Sequence, residues 1–135
     1  MGEDSGALQE QTVKIEELTA MVVDFRERRD WAQYHHPKEL ASALSIEVSE
    51  IMELFRFKSA EEVKEMVKEP EFREKVGAEL ADSLFLLLLL AHESGVDLPR
   101  AFREKLDILE QRYPEDQARG RNDKWTVYQE SESGA

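Results

Sequence analysis

Two pairs of acids stand out for the chemistry they could do. Glu47 and Glu50 are three positions apart, as are Glu79 and Asp82, a spacing that places both members of a pair on one face of a helix. Spacing alone carries little weight. With 30 Asp and Glu among 135 residues, chance gives roughly six acid pairs at this separation. Others, such as Glu71/Glu74 and Glu104/Asp107, read as ordinary solvated faces. The surroundings of the two pairs differ. Glu47 falls between Leu44 and Ile51, Glu50 between Ile46 and Leu54, and Asp82 between Ala78 and Leu86, while Glu79 follows Val76 by three. Charged side chains are almost never buried unless paired or metal-bound. Four carboxylates turned toward one core raise one another's pKa until cations intervene. A hard divalent ion resolves the conflict: Mg²⁺ takes a few carboxylates, keeps waters and accepts substrate phosphates. A metal site and a partly exposed acidic groove both satisfy this pattern.

The elements that must position these acids are helical. Ile15, Leu18, Val22 and Phe25 recur at helical spacing and predict a first helix over 12–34. His35-His36-Pro37 ends it, with Pro37 suited to the first turn of a second helix reaching about Phe57. On that helix Leu40, Leu44, Val48, Ile51 and Phe55 predict the buried face. Ser59-x-x-Glu62 has the form of a capping box, opening a short third helix to Glu69. After Pro70 a long helix over 71–94 stops at Gly95, and a last helix from Leu98 carries Phe102, Leu106 and Leu109 to Tyr113-Pro114. No segment alternates with period two and no glycine-rich phosphate loop occurs. The expected fold class is all-α, a four-helix-bundle-like arrangement. Its expected organisation is a disordered segment over 1–11, a helical domain over 12–114, and a tail over 115–135 that closes over the site or a neighbouring subunit. Leu84 to Leu90 make one helix apolar all round, more than a chain of this size can cover, so an oligomer with that helix in its interface is expected.

Composition narrows the function. A net charge of −12 argues against nucleic acid and against anionic membranes as partners. There are no cysteines, which excludes disulfides, thiolate catalysis and zinc–thiolate sites. The polar N-terminus lacks a secretory signal, and the apolar run Leu84 to Ala91 is far below the ~20 residues of a membrane span. A cytoplasmic location is the expectation.

Glu47-Val48-Ser49-Glu50 followed by Glu79-Leu80-Ala81-Asp82 resembles the metal motif of the MazG-like all-α nucleoside triphosphate pyrophosphohydrolases, most nearly their dCTP pyrophosphatase branch. The resemblance extends through Arg29-Asp30-Trp31, His35, Pro37, Leu54-Phe55, Lys58, Val96-Asp97-Leu98-Pro99, Lys105, Asp107-Ile108 and Arg112-Tyr113-Pro114, covering about residues 22–125. It implies the MazG fold as an oligomer, commonly a tetramer built as a dimer of dimers. It implies Mg²⁺, with Mn²⁺ as a substitute, held by Glu47, Glu50, Glu79 and Asp82, and water activated to cleave the α–β phosphoanhydride of a nucleoside triphosphate. Monophosphate and pyrophosphate are the implied products. Lys58, Lys105, Arg112, Arg121 and Lys124 are the candidates for the phosphates, and Phe25, Trp31, His35 and Phe57 for the base. The chain departs from the family pattern where Ile46 precedes Glu47. It departs again at Val22, Phe57, Leu86 and Leu109, which stand where the dCTP branch has His, Trp, Tyr and Asn.

Simpler roles exist for several of these residues. Trp31 near a helix end could be core, His35-His36-Pro37 a solvated connection, and the lysines and arginines partners for surface acids. His92 would cap the end of its helix near Gly95, and Trp125 would pack the tail. A di-iron carboxylate bundle would need Glu-x-x-His, and no histidine here has an acid three positions before it. A non-catalytic acidic helical interaction protein is the alternative from another class.

Overall fold

The structure, a computed structural model, describes residues 12–134, apart from the side chains of 131–133; the segment 1–11 expected to be disordered lies outside the described residues. The described residues form helices and contain no strand: α1 (Ile15–Glu27), a 3₁₀ turn (Ala32–Tyr34), α2 (Pro37–Phe55), α3 (Ala60–Met66), α4 (Pro70–Glu93), α5 (Leu98–Arg112), α6 (Glu115–Ala118) and α7 (Thr126–Ser133). They group into two compact units, one ending at Gly95 and the other beginning at Val96. No helix among the described residues is long and apolar enough to cross a membrane.

Within the first unit α4 is the axis. α2 packs along it most extensively and α1 lies against it. Leu40 of α2 and Leu88 and Leu89 of α4 are buried, each contributing about 1.5–3 kcal/mol of apolar transfer. Two helices cover only part of α4, so Leu80, Leu84 and Leu87, one turn apart on a single face, remain exposed. Pro37 and Pro70 open α2 and α4 where a missing N–H costs nothing. The Ser59 hydroxyl accepts the Glu62 N–H at 3.1 Å and starts α3. Gly95, at φ +67°, supplies the left-handed residue after α4.

Three expectations change. The first helix stops at Glu27 rather than near Tyr34, because the chain reverses through Asp30 at φ +54°. The second stops at Phe55 because Arg56 is extended and Phe57 left-handed, at φ +62°. Val48 is exposed, and the inward face of α2 runs instead through Leu40, Leu44, Glu47, Ile51 and Phe55. A carboxylate therefore occupies a core-facing position of this helix.

In the second unit Asp97 caps α5 by accepting the Arg100 N–H at 3.1 Å. Segment 115–135, expected as a tail, carries α6 and α7. Tyr128 of α7 is buried, with its ring edge-on to Tyr113 at 6.1 Å. Phe102, Leu106 and Leu109 form an exposed apolar stripe on α5.

Candidate metal centre and base groove

Glu47 and Glu50 sit one turn apart on α2, and Glu79 lies on α4, the helix against which α2 packs. One carboxylate oxygen from each falls within 4.8 Å of the others. Glu47 and Glu79 are half-buried and Glu50 is exposed. Glu47 Oε2 and Glu79 Oε2 are buried and have no hydrogen-bond partner. A buried carboxylate oxygen without a donor is costly, and two of them side by side repel. Accordingly both groups ionise less readily than usual. Burial raises the Glu47 pKa, with the charges of Glu50 and Asp82 adding to it; burial likewise raises that of Glu79, helped by Glu50, Glu47 and Asp82.

These features fit a hard cation. Three convergent oxygen donors, two lacking any protein partner, are the donor set a divalent ion satisfies. Of the four acids expected to form the site, the structure brings Glu47, Glu50 and Glu79 together. Asp82 lies one turn beyond Glu79, near enough for its charge to act on both Glu47 and Glu79.

Asp82 also lines a groove of about 560 Å³ with Met21, Val22, Phe25, Trp31 and Phe85. Apart from Asp82 its walls are mainly hydrocarbon and aromatic. Phe25 meets Trp31 edge-on at 5.9 Å and Phe85 edge-on at 5.7 Å. The Arg29 guanidinium stacks on Phe25, 3.6 Å from the ring centroid, and donates to the Phe25 carbonyl at 2.9 Å. Trp31 keeps 42% of its surface exposed.

Trp31 is placed by the way α1 ends. The Trp31 N–H donates to the Arg26 carbonyl at 3.2 Å and the Asp30 N–H to the Glu27 carbonyl at 3.0 Å. With Asp30 left-handed, this is a Schellman termination. The apolar contact that accompanies such endings is the Trp31–Phe25 pair. The Gln33 side chain braces the turn by donating to the Asp30 carbonyl at 3.0 Å.

The other base candidates lie elsewhere. His35 is half-buried behind Trp31, its ring edge-on at 6.4 Å. Burial lowers its pKa, reinforced by Arg26 and opposed by Glu93. Phe57 stands outside the groove, 89% exposed, with the Arg56 guanidinium over its ring at 4.4 Å.

Of the phosphate candidates, Lys58 belongs to the first unit and the rest to the second. Arg112 lies over the Trp125 ring at 4.7 Å. Arg121 pairs with Asp123 at 2.8 Å and lies over Tyr128 at 5.1 Å. Lys58, Lys105 and Lys124 are exposed.

Met21 and Phe85 are groove residues that sequence reasoning passed over. The signal was present: Met21 and Phe25 are one turn apart on α1, and Phe85 follows Asp82 by three on α4. Assembling them required knowing that α1 lies on α4.

The acids and the groove can be set beside known proteins. The chain is 40% identical over 112 residues to dCTP pyrophosphatase 1 of Rattus norvegicus and 38% identical to that of Homo sapiens. Each match covers 83% of this chain and 66% of the relative, so the chain spans just under two thirds of the length of these curated relatives. A pyrophosphatase from Archaeoglobus fulgidus, known from its crystal structure, matches with a TM-score of 0.70 at 33% identity, over 79% of this chain and 98% of that one. The model of the MazG-like family matches residues 42–127, a span that holds all four acids but not the Met21–Trp31 wall of the groove. With that match over most of its length, the chain belongs to the MazG-like family.

Proposed function

We propose that this protein is a divalent-cation-dependent nucleoside triphosphate pyrophosphohydrolase. In this reading it cleaves the α–β phosphoanhydride to release monophosphate and pyrophosphate. The observation that carries the reading is the cluster of Glu47, Glu50 and Glu79, with two donorless oxygens, next to an apolar groove that Asp82 lines. One end accepts a cation, the other accepts a flat apolar face, and a nucleotide offers both.

Bound Mg²⁺, or Mn²⁺ in its place, supplies Lewis acidity and lowers the pKa of water. The chain's own residues do the rest. Glu47, Glu79 and Asp82 hold the cation. Glu50, the most open member of the cluster, helps hold it and is the group we assign to orient the attacking water and take its proton. Phe25 and Trp31 receive the base, with His35 behind Trp31 restricting its ring. Lys58, in the unit that carries the acids, is the cation we assign to offset phosphate charge; Lys105, Arg112, Arg121 and Lys124 are further candidates on the second unit. The relatives named above act, by their names, on dCTP, and dCTP or a modified deoxynucleotide is the proposed substrate here. An apolar wall at Met21, Val22 and Phe85 has few groups to reject a wrong base, because discrimination comes mainly from buried polar partners.

The exposed leucines at 80, 84 and 87 support an oligomer, a tetramer built as a dimer of dimers in the fullest form of the proposal, with α4 in its interface. Phe57, outside the groove of its own chain, contributes to a base site only if another copy receives it. The role that follows is removal of surplus or damaged nucleotides in the cytoplasm.

The test is a panel of ordinary and modified nucleotides with Mg²⁺ and with chelator, resolving monophosphate plus pyrophosphate from diphosphate plus orthophosphate. Turnover of no triphosphate overturns the reading. Release of orthophosphate overturns the bond assignment alone.

A further inference from the structure

Behind the groove lies a buried charge that the proposed mechanism does not use. Arg26, in the last turn of α1, is 3% exposed. It forms an ion pair with Glu93, the last residue of α4, and a second contact with Glu27 at 3.1 Å. Arg26 does not line the groove. It sits between two residues that matter there: Phe25 is a groove wall, and the Arg26 carbonyl accepts the N–H of Trp31.

We propose that Arg26 is a positioning residue: its ion pair with Glu93 holds the Schellman turn against α4, and that turn sets Trp31 across the groove. The argument has three steps. First, the turn is fixed internally by the Trp31-to-Arg26 and Asp30-to-Glu27 hydrogen bonds and by Asp30 at positive φ, so it moves as a piece with the end of α1. Second, an anchor is needed there, because Trp31 is 42% exposed and its aromatic contacts, with Phe25 and His35, are both edge-on, with the Arg29 guanidinium 6.0 Å from its ring. The Arg26–Glu93 pair is that anchor; it joins residues 67 apart in sequence and ties the end of α1 to the end of the axial helix. Third, a buried guanidinium that loses Glu93 keeps only the solvent-exposed Glu27 carboxylate and is drawn out toward water with it. That movement carries the Arg26 backbone and with it Trp31.

The inference rests on the groove receiving the base. Its signature is therefore an effect on substrate affinity with the chemical step intact, since the carboxylates Arg26 pairs with are Glu27 and Glu93 and not those of the metal cluster.

The experiment labels the protein with 5-fluorotryptophan. The chain has 2 tryptophans, and Trp31→Phe identifies which ¹⁹F resonance belongs to Trp31. In Arg26→Met and Glu93→Gln the Trp31 resonance should shift or broaden while that of Trp125 stays put. KM for the best triphosphate should rise about tenfold, the equivalent of one lost oriented contact, with kcat within about threefold. Arg26→Lys, which keeps the charge, should recover most of the KM. If the Trp31 resonance is unmoved in folded Glu93→Gln and Arg26→Met, the proposal is overturned, as it is if kcat falls while KM holds. Should Arg26→Met fail to fold, Glu93→Gln and Arg26→Lys decide by the same readouts. If the wild type turns over no triphosphate, the functional reading fails by itself and the resonance still decides whether Arg26 places Trp31.

Discussion

Glu47 and Glu79 meet across the seam between α2 and α4, each with a buried carboxylate oxygen that no hydrogen-bond donor reaches. In the chain alone this pairing opposes the packing of the two helices; with a cation it joins them. Replacing either glutamate by glutamine should therefore abolish hydrolysis, by more than about 100-fold, without lowering the thermal midpoint of the metal-free protein. Glu47→Ala and Asp82→Ala should also lose activity while keeping helical circular dichroism. Retained activity in Glu47→Gln and Glu79→Gln would leave the cluster as surface charge.

The same pair sets a pH dependence. Both pKa values lie above the ordinary 4.5, through burial first and neighbouring carboxylates second. Between 4.5 and the raised values the folded chain holds more protons than the unfolded chain. The contribution is thus fully present below about pH 4.5 and is lost as pH rises through the folded values. Added Mg²⁺ takes the place of the protons, so its stabilising effect should grow over that interval. Thermal melts of the wild type and the Glu47→Gln/Glu79→Gln double variant, across pH with and without Mg²⁺, measure it. A wild-type curve parallel to that of the double variant would contradict the assignment.

Much of this architecture was legible beforehand, for identifiable reasons. Helices α2 to α5 follow from apolar periodicity, from proline at their first turns and from the Ser59 cap, all local signals. The placement of Glu47 on the inner face of α2 was half legible. Its neighbours Leu44 and Ile51 pointed there, but Val48 competes for the same face by type, and only packing against α4 decides between them. The end of α1 is hidden in the sequence because asparagine or glycine usually marks a left-handed cap, and here Asp30 takes that place. The groove was legible only in part, since Phe25 and Trp31 are aromatics near a helix end, whereas Phe85 comes from a distant helix.

Asp30 offers a separate check on that turn. At φ +54° glycine fits without strain and a β-branched residue does not. Asp30→Gly should stay within about 1 kcal/mol of wild type in stability, whereas Asp30→Val should cost more than Asp30→Gly and raise KM as Trp31 loses its place. Chemical denaturation paired with steady-state kinetics separates the two effects. Equal behaviour of the two variants would mean the turn does not place Trp31.

The exposed leucines on α4 make a prediction about assembly. Leu84→Arg puts a charge in the middle of the Leu80–Leu84–Leu87 face, where burial in an interface is costly. Sedimentation should show the wild type as an oligomer and Leu84→Arg as a smaller species with its helical content retained. A wild type that sediments as a monomer would remove α4 from any interface.

If copies assemble through α4, Phe57 is where assembly and base binding would meet. An aromatic ring 89% exposed on a left-handed residue, met in its own chain by the exposed Arg56 guanidinium, adds little to stability there, so Phe57→Ala should leave stability within about 0.5 kcal/mol for the dissociated chain. If a neighbouring copy's groove receives the ring, Phe57→Ala should raise KM by about 5- to 150-fold, the range for losing one stacking partner of a base. Trp31→Ala should do the same. In the Leu84→Arg background, where copies separate, Trp31→Ala should still raise KM further, while Phe57→Ala should add nothing, because the ring has already left the site. Kinetics of the three single and two double variants test this directly. A Phe57→Ala effect that persists undiminished in the dissociated chain would assign the ring to its own groove, and no effect in either background would remove it from base binding.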